Sequence, residues 1–502
     1  MKIKRLLIAN RGEIALRIIR TCREMGIKSL AVYSDADSKA RHVREADESF
    51  RLGPAEAAAS YLNQAALIEA AKAMQADAVH PGYGFLSERA EFAETVAAAG
   101  LIYVGPPPSA TRALGSKIEA KLIAQKAGVP LVPGFFSPNA TDEELESAAI
   151  SMGFPVLLKA SAGGGGRGMR VVHQADDLNR ELKMAREEAI KAFGEGSMMV
   201  EKLIPSPRHI EVQVLADSHG NVACLFDREC SLQRRHQKVI EEAPSPVMTD
   251  GLWQRMREAC ISLVRAAGYV GAGTVEFITD QAATDFYFLE VNARLQVEHP
   301  VTEMITGLDL VRQQILIAEG NSLDLAPDLM EGKRSAINGH SIEARIIAED
   351  PSKGFLPSVG KLHGWAEPQG PGIRFDGGFQ AGDEISQYYD SLMGKLIVQG
   401  SNREEARLRL INALEDTHIL GVKTNISFVH RLAGSAAFSE AAFHTKWLDE
   451  EGQGLLAEPD ELPLELSALV EAAKAGVSGG GVESKKSLTP AWDTADSFRL
   501  FR

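Results

Sequence analysis

Four consecutive glycines, Gly163 to Gly166, sit inside the stretch KASAGGGGRGMRVV that runs from Lys159 to Val172. They strip side chains from a point where the backbone must flex and come close to something. The flanks, PVLLK and MRVV, read as strands. A Walker phosphate loop lies instead between a strand and a helix and ends in Gly-Lys followed by Ser or Thr, so that architecture is excluded. Lys159 and Arg167 add positive charge beside the glycines, and the segment reads as a hairpin lid over a nucleotide. A free surface linker does not carry such strand-forming flanks.

What precedes the lid is an alternation of strands and helices. KRLLIA at 4–9 reads as a buried strand, Glu13 to Met25 as a helix closed by Gly26, and SLAVYS at 29–34 as the next strand. The alternation continues to about residue 113 and predicts a parallel-sheet, Rossmann-like domain. Its first turn, NRGEIA, lacks GxGxxG, which removes the pyrophosphate cradle of a nicotinamide enzyme. From Ser116 a helix, KIEAKLIAQKAG, leads into the lid, and strand-rich sequence follows to about 290. Gly332 to Gly339 marks a third boundary, beyond which short strands and a helix predict a compact mixed domain. With 502 residues the chain accommodates three domains of roughly 150 residues each. The boundaries expected are 1–113, 114–330 with a lid subdomain at about 134–203, 331–447, and 448–502 as linker and the start of a further domain.

Chemistry concentrates in TVEFITDQAATDFYFLEVNARLQVEHP, Thr274 to Pro300. Alternation along a strand sends Glu290, Asn292 and Arg294 to one face and Tyr287, Leu289 and Val291 to the other. If 274–279 and 286–292 pair about a turn near Ala283, Glu276 falls opposite Glu290. Two carboxylates side by side repel unless a cation sits between them. Glu276, Glu290 and Asn292 offer the hard oxygens that magnesium prefers when it also holds nucleotide phosphates. A second cluster, RECSLQRRHQKVIEEAPSP, gathers Arg234, Arg235, His236 and Lys238 within five positions. Alone, such a run is more often a solvated face, and without interleaved aromatics it does not indicate nucleic acid. The net charge of −14 also disfavours nucleic acid, so anionic substrates need local basic clusters of this kind.

HPGYGFLSE at 80–88, GGGGRGM at 163–169, RECSLQRRHQK at 228–238, LEVNARLQVEHPVTE at 289–303 and YYDSLMGKL at 388–396 together resemble the biotin carboxylase family, in order and over residues 1 to about 450. The resemblance implies an ATP-grasp central domain with the glycine-rich lid, between a Rossmann-like N-terminal domain and a mixed C-terminal domain. It implies MgATP- and bicarbonate-dependent carboxylation of a carrier-bound biotin through carboxyphosphate, with manganese as the alternative ion. Lys117, Lys159, Gly164, Gly165 and Gly166 match residues at the ATP phosphates. Glu201, Lys202 and Leu203 match the adenine strand, and His209, Gln233, His236 and Glu276 complete the nucleotide site. Bicarbonate is implied at Lys238, Arg294, Gln296, Val297 and Glu298, with Glu298 as general base. Biotin is implied at Tyr83 and Arg345, the arginine stabilising an enolate-like anion.

The lysine motif that carries biotin in carrier domains is absent, because Lys183-Met184 lies in ELKMAREE, which reads as a helix. The expected partners are therefore a separate carrier domain, a carboxyltransferase β-subunit and a second copy of this chain. Residues 451–487 read as a linker, and TPAWDTADSFRLFR resembles the entry to the middle domain of acyl-CoA carboxylase α-chains of the 3-methylcrotonyl-, geranyl- or propionyl-CoA type. No apolar run reaches membrane-spanning length, no export signal forms at the N-terminus, and Cys22, Cys224, Cys230 and Cys260 lack metal spacing. The expectation is a bacterial cytoplasmic enzyme. Two other readings stay open: another ATP-grasp ligase with an amine pocket, and a silent domain that serves as an assembly surface.

Overall fold

An apolar run and an amphipathic one build the first layer of the structure, a computed structural model that describes residues 2–161 and 168–456. Gly164, Gly165, Gly166 and Arg167 of the lid and the tail beyond Leu456 lie outside the described residues. β1 (Arg5–Ile8) is buried along Leu6, Leu7 and Ile8. α1 (Gly12–Met25) ends at Gly26, whose φ of 66° is the left-handed conformation that costs glycine least. β2 (Lys28–Ser34), β3 (Glu48–Gly53), β4 (Ala78–His80) and β5 (Ile102–Tyr103) complete a parallel sheet of order β3-β2-β1-β4-β5. Strand order reverses between β1 and β4, which opens a crevice at their C-terminal ends. Asn10 bridges it, donating through Nδ2 to the carbonyls of Pro81 and Tyr83.

α2 (Lys117–Lys126) then leads to a second, smaller sheet. It contains β6 (Gly134–Phe135), β7 (Val156–Ala160), β8 (Met169–Val172) and β9 (Met198–Lys202) in the antiparallel order β6-β9-β7-β8. α3 (Asp142–Met152) starts in a Thr141/Glu144 capping box, and α4 (Leu178–Phe193) contains the ELKMAREE segment as expected. Leu145, Val156, Leu158, Leu182 and Val200 give this sheet a core of its own. β7 and β8 are paired as the sequence predicts, with the glycine loop joining them.

The third sheet is the largest. β10 (Arg208–Ala216), β11 (Val222–Arg234), β12 (Gln237–Ala243), β13 (Gly271–Thr279), β14 (Phe286–Asn292), β15 (His340–Ile347), β16 (Ile373–Gly377) and β17 (Leu392–Gly400) run antiparallel in the order β14-β13-β10-β11-β12-β15-β17-β16. α5 (His299–Thr306) packs on it. The sheet crosses the glycine-rich segment 332–339 without a break, because β12 pairs with β15. Glu276 stands directly opposite Glu290, as alternation requires. The ladder then slips by one residue between Glu276 and Phe277, so Phe277 meets Phe288 and Leu289 is the extra residue of a bulge. This corrects the expected faces. Phe288 goes to the core, fully buried, and Tyr287 moves to the side of Glu290. All four cysteines are buried and free, and no helix among the described residues is long and apolar enough to cross a membrane.

Candidate active site

The lid sheet and α2 bring three lysines towards carboxylates. Lys117 Nζ lies 3.0 Å from Glu290 Oε2. One turn later on α2, Lys121 Nζ lies 2.5 Å from Glu201 Oε1, and Lys159 of β7 lies 2.6 Å from Glu201 Oε2. Burial opposes the charge on Glu201, but Lys159 and then Lys121 outweigh it and push its pKa down to about 2. Burial wins at Lys121, whose pKa falls below that of lysine: two buried ammonium groups share one carboxylate. Lys202, the next residue on β9, points the other way and donates to the carbonyls of Gly153 and Phe154. Leu203 is half-buried just beyond the strand.

Around Lys238 the large sheet assembles a denser network. Lys238 Nζ lies 2.6 Å from Glu211 Oε2, 3.3 Å from Glu276 Oε1 and 2.5 Å from Glu298 Oε1. Arg345 Nη2 takes the other Glu298 oxygen at 3.0 Å. Burial resists ionisation of Glu298, yet Lys238, then Arg345 and Arg228, hold its pKa well below the usual carboxylate range. Glu276 also accepts from Asn292 Nδ2 at 2.8 Å and Gln296 Nε2 at 2.9 Å, and its second oxygen lies 3.2 Å from His209 Nε2. Gln233 Nε2 lies 3.2 Å from the other ring nitrogen of His209. Arg294 Nη2 donates to Asn292 Oδ1 at 2.9 Å, and its Nε lies 3.1 Å from Glu88. The Val297 carbonyl accepts from Lys395 Nζ at 2.9 Å.

The basic run 234–238 separates in space. Lys238 turns inward, Arg234 stacks 3.8 Å over the Phe355 ring, and Arg235 and His236 stay exposed at the tip of the β11–β12 hairpin. Partial burial, and then the nearby charges of His209 and Lys159, lower the pKa of His236 against the pull of Asp449. Two residues that the sequence reading missed hold the network together. Fully buried Arg228 donates to Glu211, Gln213, Thr302, Thr274 and Gln296 at 2.6–3.0 Å, and Glu211 joins Arg228 to Lys238. Arg228 opens the RECSLQRRHQK motif, but a period of two does not say which sheet face is packed. Lys121 was missed as well, although its place four residues after Lys117 on one helical face was a usable signal.

Beside this network a cavity of about 560 Å³ opens at the β1/β4 crevice, lined by Asn10, Tyr83, Lys238, Arg294, Val297 and Arg345. The Tyr83 ring lies 5.9 Å from Lys395 Nζ. The arrangement therefore has a carboxylate-and-lysine end at α2, β7 and β9, an open end at the crevice, and Glu298 between Lys238 and Arg345.

The chain matches the description "Biotin carboxylase, N-terminal domain" over residues 2–111, "Carbamoyl-phosphate synthase L chain, ATP binding domain" over 116–326, and "Biotin carboxylase C-terminal domain" over 343–450. It is 48% identical to the mitochondrial methylcrotonoyl-CoA carboxylase subunit alpha of Oryza sativa subsp. japonica over 456 residues, 91% of this chain and 61% of that one. It is 45% identical to the mitochondrial subunit alpha of Dictyostelium discoideum over 501 residues, 99% of this chain and 70% of that one. A solved structure of the biotin carboxylase domain of Hydrogenobacter thermophilus 2-oxoglutarate carboxylase, in complex with MgADP, ADP and bicarbonate, superposes with a TM-score of 0.86 at 43% identity. That match covers 92% of this chain and 100% of that one. The expectation of a bacterial cytoplasmic protein is overturned by these curated relatives, which are mitochondrial subunits of eukaryotes.

Proposed function

The chain belongs to the biotin carboxylase family and is an ATP-dependent carboxylating ligase of ATP-grasp type, and from that premise we propose that it uses MgATP and bicarbonate to carboxylate a carrier-bound biotin through carboxyphosphate. One observation carries this reading: Glu298 is shared by Lys238 and Arg345. Lys117, Lys159, Glu201 and His209 stand on the nucleotide side, with Lys121 added to that set. The triphosphate brings the negative charge that the two ammonium groups around Glu201 lack. Glu276, Glu290 and Asn292 fit a magnesium ion, since they place oxygens on neighbouring strands with two carboxylates directly opposite. Bound there, the ion supplies charge neutralisation of the phosphates.

Held by two cations, Glu298 is a weak base. Bicarbonate entering among Lys238, Arg294 and Gln296 competes for those same donors, and each bond surrendered raises the proton affinity of Glu298. The carboxylate then takes the bicarbonate proton while the cations hold the dianion for attack on the γ-phosphate, giving carboxyphosphate and ADP. Closure of the lid excludes water from that intermediate. Carboxyphosphate releases CO2 and phosphate, the phosphate accepts the ureido proton, and Arg345 stabilises the resulting oxyanion at the crevice end near Tyr83.

The three domain boundaries at 113, 330 and 447, a separate carrier domain, a carboxyltransferase β-subunit and a second copy of the chain belong to the same proposal. The relatives support the β-subunit, being alpha subunits of an acyl-CoA carboxylase. The test is bicarbonate-dependent ADP release with and without free biotin, for wild type and E298Q. Biotin-stimulated turnover that falls by about a thousandfold or more in the variant is expected for loss of a general base. Turnover indifferent to bicarbonate and biotin would transfer the site to another ATP-grasp chemistry or to a silent domain.

A further inference from the structure

Arg345 is gripped at both edges. Its Nε donates to Glu241 Oε1 at 2.6 Å and its Nη2 to Glu298 Oε2 at 3.0 Å. Glu241 of β12 stands directly opposite Glu343 of β15, and Arg345, two residues along β15, stands opposite Lys395 of β17. Opposite and alternate residues share a face, so all four side chains lie on one side of the sheet. Glu241, Glu343 and Lys395 are wholly buried. Both oxygens of Glu343 and Oε2 of Glu241 accept no hydrogen bond from any described residue. Lys395, whose charge acts on Glu343, is committed to the Val297 carbonyl at 2.9 Å and to Glu13 at 3.2 Å. Two ionised carboxylates cannot share such a place, whereas one proton between them removes the conflict.

We propose that Glu241 and Glu343 form a one-proton carboxyl pair that positions Arg345, with the proton on Glu343 and the charge on Glu241. The ionised Glu241 anchors the Nε edge of the guanidinium. Its Nη2 edge is then free to pass from Glu298 to the oxyanion that develops on the ureido oxygen. The inference deepens the biotin carboxylation proposed above and rests on it for the role of Arg345. Burial is the main force on both carboxyls, raising Glu343 well above the ordinary range and Glu241 to about 7 against the pull of Arg345. The charged and titratable groups facing the pair are Arg345, Glu298, Lys238 of β12, Lys395 of β17 and Cys230 of β11. Glu13 of α1 and His299 of α5 act on Lys395.

Below neutral pH Glu241 gains a proton and releases its edge of Arg345, so biotin-dependent kcat falls on the acid side. E343Q keeps the neutral shape of Glu343 and removes the competing carboxyl. Glu343 is already neutral where Glu241 titrates, so the acid limb of biotin-dependent kcat stays in place in E343Q. E241Q removes the anchoring charge and lowers biotin-dependent kcat by about tenfold to a hundredfold, the worth of one charge-assisted hydrogen bond. It leaves KM for ATP in place. An infrared difference spectrum, wild type minus E343Q at pH 8, reads the proton directly, as the carbonyl stretch of a protonated carboxyl present only in the wild type. Absence of that band overturns the pair, and so does an E343Q acid limb that moves down, which would show a charged Glu343 repelling Glu241. If wild-type turnover ignores biotin, the function proposed above fails, and the infrared band still decides whether the pair holds one proton.

Discussion

Arg228 shows what a single side chain does in this interior. Its five donated hydrogen bonds tie Glu211 and Gln296 to the strands around them, and both of those residues touch groups that hold Glu298 or Glu276. R228M leaves Glu211 buried with Lys238 as its remaining hydrogen-bonded cation, a loss of about 3–5 kcal/mol for a broken buried pair. A lower thermal unfolding midpoint and a raised KM for bicarbonate are the expected readouts. Glu201 makes a prediction of opposite character. Its folded pKa of about 2 lies below the ordinary 4.5, so the stability it contributes is complete above pH 4.5 and is lost as pH falls towards 2. The contribution is on the order of 3 kcal/mol. E201Q should flatten the fall of the unfolding midpoint between those pH values, and a midpoint profile parallel to wild type would contradict the pairing with Lys121 and Lys159. Residue by residue, the sequence was most readable where chemistry repeats at short range, as in Glu290 and Asn292; Lys121, four residues after Lys117, was missed although the same logic reaches it. Glu211, Arg228, Glu241 and Glu343 were not readable, since each is made important by a neighbour tens or hundreds of positions away.

The β11–β12 hairpin carries its cost in two residues. Arg234 pairs with Gln237, and the turn between them is Arg235 and His236, with φ of 48° and 65°. Two-residue hairpins favour Asn-Gly at such positions because side chains other than glycine crowd the left-handed region. R235N/H236G should therefore raise the unfolding midpoint by about 1 °C or more. An accompanying rise in KM for ATP would show that His236 reaches the nucleotide once it is bound, and an unchanged KM would show that it does not. The bulge at Leu289 marks the limit of reading elements from alternation. Period two placed Glu276 opposite Glu290 correctly, but no local signal announced an extra residue, and everything beyond it changed face. Helices fared better: α1 and α4 have unambiguous spacing, and Gly26 is an explicit stop.

At the scale of the molecule, the sequence set one boundary at the glycine-rich segment 332–339, and strands on either side of that segment belong to one sheet. There β15 returns to pair with β12, and the last three strands extend the sheet whose first strand along the chain is β10. A loop composition cannot reveal that strands on either side of it will bond to each other. The union has a purpose at the site: Glu298 and Lys238 precede the segment, Arg345 and Lys395 follow it, and hydrogen-bonded strands fix their spacing.

That seam also gives the protein a way of being taken apart. A chain severed between Gly332 and Gly339 leaves two bare strand edges, β12 on one piece and β15 on the other, each with the hydrogen-bonding pattern that the other completes. Alone, each piece carries half of the Glu298–Arg345 contact and an adhesive margin that invites self-association. Mixed, they carry a built-in recognition code, and recovered turnover would report their reunion, as in a split reporter whose signal is the chemistry itself.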